Sequence, residues 1–156
     1  MSGASGTETD TPVGLAAIAA LDLGMVRAKL ADPIEGKGWS VQQLDLAEQE
    51  YRRFLLLCLA TGEPTVPCEL VDEMWHAHIL DTQAYHADCE RIFGFYYHHF
   101  PYFGMRGEQD AQDLVDAYER TVARYVGRFG EPPAGVWTEA ASGKCKRTAC
   151  KPVKCR

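Results

Sequence analysis

The stretch SVQQLDLAEQEYRRFLLLCLATG (Ser40–Gly62) decides how the rest of the chain reads. Ser40 and Gln43 have the spacing of a capping box, in which each side chain satisfies a backbone N–H of the opening helical turn. Behind that start, Val41, Leu44, Ala47, Tyr51, Phe54, Leu55 and Cys58 recur every three or four residues, the period of a single buried stripe on a helix. Glu48, Glu50, Arg52 and Arg53 are expected on the wet face. Thr61-Gly62 and Pro64 supply the stop. The segment from about Val41 to Ala60 is therefore an amphipathic helix with one face on a core.

The same logic extends in both directions. Upstream, Thr11 can cap a helix whose first position is Pro12, where a missing N–H costs nothing. GLAAIAALDLGMVRAKL (Gly14–Leu30) then forms one long helical piece or two short ones, because Gly24 weakens its middle, and Asp32-Pro33 ends it. Downstream, a helix from about Pro67 to Leu80 is followed by a reset at Asp81, a good N-cap, and by another helix running from Thr82 toward Phe93-Gly94, fraying toward Phe100 before Pro101. PYFGMRGEQD (Pro101–Asp110) reads as a loop. A last helix spans about Gln109 to Phe129, with Leu114, Tyr118, Val122, Tyr125, Val126 and Phe129 on one face and Gly130-Glu131-Pro132-Pro133 as its stop. Strand alternation is not sustained in any segment, and there is no internal repeat. The expected fold is all-α: a compact bundle of four to six helices over residues 11–135, preceded by a disordered leader at 1–10 and followed by a flexible Cys- and Lys-rich tail at 136–156.

A chain of 156 residues and 17.3 kDa suits one such domain. No apolar run approaches the roughly 20 residues that a membrane-spanning helix needs, so no membrane partner is expected. The polar, acidic start MSGASGTETDTP lacks the positive region of a secretory signal, which places the protein in the cytoplasm as an expectation. The net charge of −6 conceals two regimes. Residues 1–143 hold 22 acidic residues against 10 Lys and Arg, whereas residues 144–156 hold six Lys and Arg and no acid. The acidic body argues against nucleic-acid binding, which requires local positive potential; the basic tail alone could supply it. Cysteines divide likewise, with Cys58, Cys68 and Cys89 in the body and Cys145, Cys150 and Cys155 in the tail. The body thiols, Cys58 within RRFLLLCLA above all, should behave as small apolar residues.

WHAHILDTQAYHADCERIFGFYYHHFPYFG (Trp75–Gly104) carries all five histidines. His76 and His78, two residues apart, point about 200° from each other on a regular helix and cannot share an ion unless the helix breaks. Asp72 and His76 do share a face at i, i+4, and Asp81 lies near His78. A carboxylate beside an imidazole orients the ring, as in metal second shells and general bases, and is also an ordinary helix-surface pair. His98-His99, just ahead of Pro101, can project from irregular backbone toward the end of the His76 helix. Two or three imidazoles with a carboxylate suit Zn, Fe or Cu. The candidate ligands are thus His76, His78, His98, His99, Asp72 and Asp81. The competing reading makes this an aromatic packing segment with hydrogen-bonded histidines, one of the adjacent pair exposed and His86 on the surface.

DEMWHAHILDTQAYHADCERIFG and HHFPYFGMRGEQD resemble the bacterial short members of the glycine-rich domain-containing protein-like family over roughly residues 12–130. The positions matching that motif are His76, His78, Asp81, His98, His99, Pro101, Tyr102 and Gly104. The resemblance implies a compact helical domain and carries no catalytic mechanism. This chain lacks the glycine-rich extension of the larger relatives, so their partner and RNA-related roles are not transferred.

In the tail, KCKRTACKPVKCR (Lys144–Arg156) places Cys145, Cys150 and Cys155 among cations that favour thiolate. These make a secondary metal or redox site, although zinc frameworks use tighter C-x2-C pairs and four ligands; a solubilising basic tail is the alternative. No phosphate loop, nucleotide fingerprint or nucleophile elbow is present, so no nucleotide cofactor is expected. Three functions remain in order: transition-metal binding through the histidine cluster with the tail as accessory, a non-enzymatic interaction module for a protein or RNA partner, and a metal-dependent enzyme acting on a small molecule or peptide.

Overall fold

A computed structural model describes residues 11–138 and the backbone of 151–152. Among them are six helices: α1 (Pro12–Ala19), α2 (Gly24–Ala31), α3 (Val41–Ala60), α4 (Glu69–Leu80), α5 (Thr82–Phe93) and α6 (Glu108–Phe129). Two dipeptides, β1 (His99–Phe100) and β2 (Lys151–Pro152), pair antiparallel with His99 opposite Pro152 and Phe100 opposite Lys151. No helix of the described residues is long and apolar enough to cross a membrane.

Local chemistry accounts for most helix ends. Thr11 accepts from the N–H of Gly14 at 3.1 Å, and the capping box of α3 closes on both sides, Ser40 N–H to Gln43 Oε1 at 2.9 Å and Gln43 N–H to Ser40 Oγ at 3.2 Å. The Gly14–Leu30 stretch is two helices, not one, and the Asp22 carboxylate accepts from the Gly24 N–H at 2.9 Å at the second start. α5 ends at Gly94, whose φ of 76° is the left-handed cap a side chain would disfavour. The helix therefore stops before the Tyr96–Phe100 stretch instead of fraying into it, and this stop turns the chain back toward α4.

α3 is the central element. It contacts α1, α2, α4 and α6, while α1 lies along α5. The α1–α5 approach depends on Gly14, because a Cβ there would lie 2.7 Å from the Ile92 carbonyl oxygen and from Leu59 Cδ2. The stripe of α3 is buried as its period requires, except that Val41 stays exposed. Phe54 meets Trp75 of α4 with ring centroids 5.2 Å apart, so the central helix and the histidine-bearing helix share one aromatic core. Arg52 donates to the carbonyl oxygens of Ile18 and Leu21 at and just beyond the end of α1, where a cation favourably meets the negative end of the helix dipole.

Glu50 departs from its expected place on the wet face. It is 0% exposed, and its Oε2 accepts from Tyr125 Oη at 2.7 Å and Trp137 Nε1 at 2.9 Å. Burial of a carboxylate is tolerated because donors surround it. Amphipathic periodicity cannot reveal this, since the donors come from 75 and 87 residues away. Trp137, read from the sequence as part of the tail, is 5% exposed and stacks near Tyr118 and Tyr125.

Cys58, Cys68 and Cys89 are buried thiols. Burial pushes the Cys58 thiol up to about 12, so almost no thiolate exists near neutral pH and access is closed. Iodoacetamide at pH 8 is expected to leave Cys58 unmodified in native protein and to alkylate it in denaturant, as read by peptide mass mapping. Rapid native labelling of Cys58 would contradict this packing.

Candidate metal centre

Asp72 and His76 stand one turn apart on α4, so both side chains leave the same face. After α5 and the Gly94 turn, the chain returns and delivers His99 from β1 against that face. The His99 ring sits 4.5 Å from the Trp75 ring and 4.8 Å from the His76 ring, centroid to centroid. Its entry is pinned by a buried relay in which Trp75 Nε1 donates to Tyr85 Oη at 3.0 Å and Tyr85 Oη donates to the Tyr97 carbonyl. The backbone two residues before His99 is thereby tied to the α4–α5 core.

The three side chains converge. His76 Nε2 and His99 Nε2 share a hydrogen bond of 3.0 Å, one ring donating and the other accepting, and Asp72 Oδ1 lies 3.6 Å from each of them. An ion with bonds of about 2.0–2.1 Å to tetrahedral ligands would hold those ligand atoms about 3.3–3.4 Å apart, so the triangle has the dimensions of one face of such a polyhedron. Asp72 Oδ1 is buried and makes no hydrogen bond. A buried carboxylate oxygen without a hydrogen-bond donor is costly, and two imidazole nitrogens lie 3.6 Å from it; a cation that displaced the proton they share would meet a lone pair from each. Burial lowers the His76 pKa from its ordinary value, with the Asp72 carboxylate opposing the shift. The ring is therefore held neutral near pH 7, the form that ligates.

The other histidines and Asp81 are elsewhere. His78 points to the opposite side of the unbroken α4, as the two-residue spacing requires. Its Nδ1 pairs with Tyr51 Oη at 2.7 Å and its Nε2 with Asp88 Oδ2 at 2.8 Å. A carboxylate only accepts, so Nε2 carries the proton and Nδ1 accepts from the tyrosine; burial lowers its pKa against the opposing Asp88. Both nitrogens are committed within the fold. Asp88, on α5, was missed from the sequence, where no local spacing links it to His78. His98 is exposed with its ring against Tyr96 at 4.7 Å, on the outward side of the adjacent pair. His86 is also exposed, as expected. Asp81 is exposed and caps α5, accepting from the Ala84 N–H at 3.4 Å. Cys145, Cys150 and Cys155 lie outside the described residues.

Fold and site together define a small helical protein in which an Asp-x3-His turn on one helix and a histidine from a short extended segment form a three-donor cluster. The chain belongs to the UCP032817-like family, an uncharacterised family whose model matches residues 26–123, and the whole cluster lies within the matched region. This corrects the likeness to glycine-rich domain-containing proteins drawn from the Val71–Asp81 and His98–Gly104 motifs. Those motifs are short and include residues such as Trp75 and Phe103 that this core buries, and core aromatics report packing more than kinship. No curated protein and no solved structure matches the chain.

Proposed function

We infer that the protein binds a transition metal ion through Asp72, His76 and His99. The observation carrying this reading is the buried Asp72 Oδ1, which has no hydrogen-bond partner and faces two imidazole Nε2 atoms at 3.6 Å. Two imidazoles and a carboxylate, with no thiolate among them, favour zinc or ferrous iron over cuprous copper. Three protein ligands also leave a coordination position for water or an exchangeable ligand, which keeps a metal-dependent reaction open to this centre. His78, with both nitrogens engaged by Tyr51 and Asp88, belongs to the supporting structure of α4.

Elemental analysis of untagged protein, as the parent chain and with Cys145, Cys150 and Cys155 replaced by serine, tests the reading. About one equivalent of metal is expected in both forms. Metal lost with the three thiols would move the site to Cys145, Cys150 and Cys155; metal absent from both, with chelator leaving thermal stability unchanged, would end the proposal.

A further inference from the structure

Beside the centre, α2, the loop after it and α4 enclose a cleft of about 660 Å3, the size of a small-molecule site. His76 forms part of its wall, so one residue belongs both to the donor cluster and to the cleft. The floor is apolar, made by Val26, Leu30 and Ala77 with Met25 and Leu80 at the edge. Met25 and Leu80 are 77% and 79% exposed, so two large apolar side chains stand in water at the mouth of a concave surface. A ligand with an apolar body would cover them.

Charge selects the head group. Lys29 pairs with Glu35 at 3.5 Å and Lys37 with Glu73 at 3.2 Å around the rim, so these four residues cancel. Asp81 adds one carboxylate at the far end of the lining segment of α4, about 12 Å along the helix axis from Glu73. At the His76 end, a divalent ion held by the single carboxylate of Asp72 leaves a net positive charge with a coordination position to fill. The complementary molecule is anionic at one end and apolar along its length, with its neutral tail toward Asp81.

We propose that the cleft binds a small amphipathic carboxylate, its head group coordinated to the metal beside His76 and its hydrocarbon body lying on Val26, Leu30 and Ala77. The proposal rests on the metal-binding reading. Isothermal titration of octanoate, hexanoate and acetate into zinc-loaded and zinc-free full-length protein tests it, with zinc uptake measured on the same samples. Octanoate is expected to bind the zinc-loaded form about tenfold or more tightly than the zinc-free form, with affinity rising about threefold per methylene from hexanoate to octanoate. Leu80→Asp, at an exposed position, is expected to weaken octanoate by about tenfold or more with unchanged zinc stoichiometry. Zinc uptake with no octanoate binding, or with acetate bound as tightly as octanoate, overturns the cleft assignment and leaves the metal centre standing. Octanoate binding that is equal with and without zinc overturns the coordinated head group. Failure to take up zinc removes the centre itself and this proposal with it.

Discussion

Replacing His99 by alanine is expected to abolish stoichiometric zinc binding, while replacing its neighbour His98 leaves it intact. Outer-shell partners of metal ligands are worth about 10- to 100-fold in affinity, and a direct ligand should exceed that, so His99→Ala should weaken zinc by more than about 100-fold. His76→Ala should do the same. Asp72→Asn should also weaken the site, because the amide removes the charge that opposes the cation. His98→Ala should fall within about twofold of the parent protein, since its ring lies on the outside against Tyr96. Competition with a chromophoric chelator measures all four. His99 also packs on Trp75, so its loss costs some stability without metal; denaturant midpoints of the zinc-free proteins separate the two effects. In the parent, zinc at about 1,000 times its Kd should add about 4 kcal/mol to unfolding stability, and His99→Ala should lose that increment. Equal zinc affinity in the His98 and His99 variants would show that the convergence at Asp72 has no bearing on metal.

Glu50→Ala is expected to be the most damaging single change to the fold outside the apolar core, at about 3 kcal/mol. It strands the Tyr125 hydroxyl and the Trp137 indole N–H, both of which Oε2 accepts, and removes the carboxylate that faces Arg53 at 3.3 Å. The arginine softens the loss because it is partly exposed, still donates to Tyr125 Oη at 2.7 Å and lies over the Phe129 ring. Glu50→Gln keeps the volume and one acceptor oxygen, so about half of that cost is expected. Urea unfolding followed by tryptophan fluorescence gives both values. An alanine variant within about 0.5 kcal/mol of the parent would mean that the network linking α3, α6 and Trp137 contributes nothing.

Most helix boundaries were legible because their causes are local. The capping box at Ser40, the proline at the first position of α1, the Asp81 cap and the positive-φ glycine after α5 each involve residues a few positions apart. So does the apolar stripe of α3. At the site, the Asp72–His76 pair was legible for the same reason, as was the separation of His76 from His78, since helical geometry sets both. The choice between His98 and His99 was not. Adjacent residues in extended backbone point to opposite sides, and only the register with which β1 returns to α4 says which side is inward. The Asp88 partner of His78 and the burial of Glu50 were hidden in the same way, their contacts joining different helices or distant ends of the chain.

The amino-acid order, through periods and caps that span a turn or two, determined that this protein is a set of helices and that one of them presents a carboxylate and an imidazole on a single face. Tertiary packing decided which histidine completes that face, which acid goes inside and which cleft opens beside it. Those choices depend on free energies of burial shared among segments that meet only after the chain has folded, and no local spacing records them.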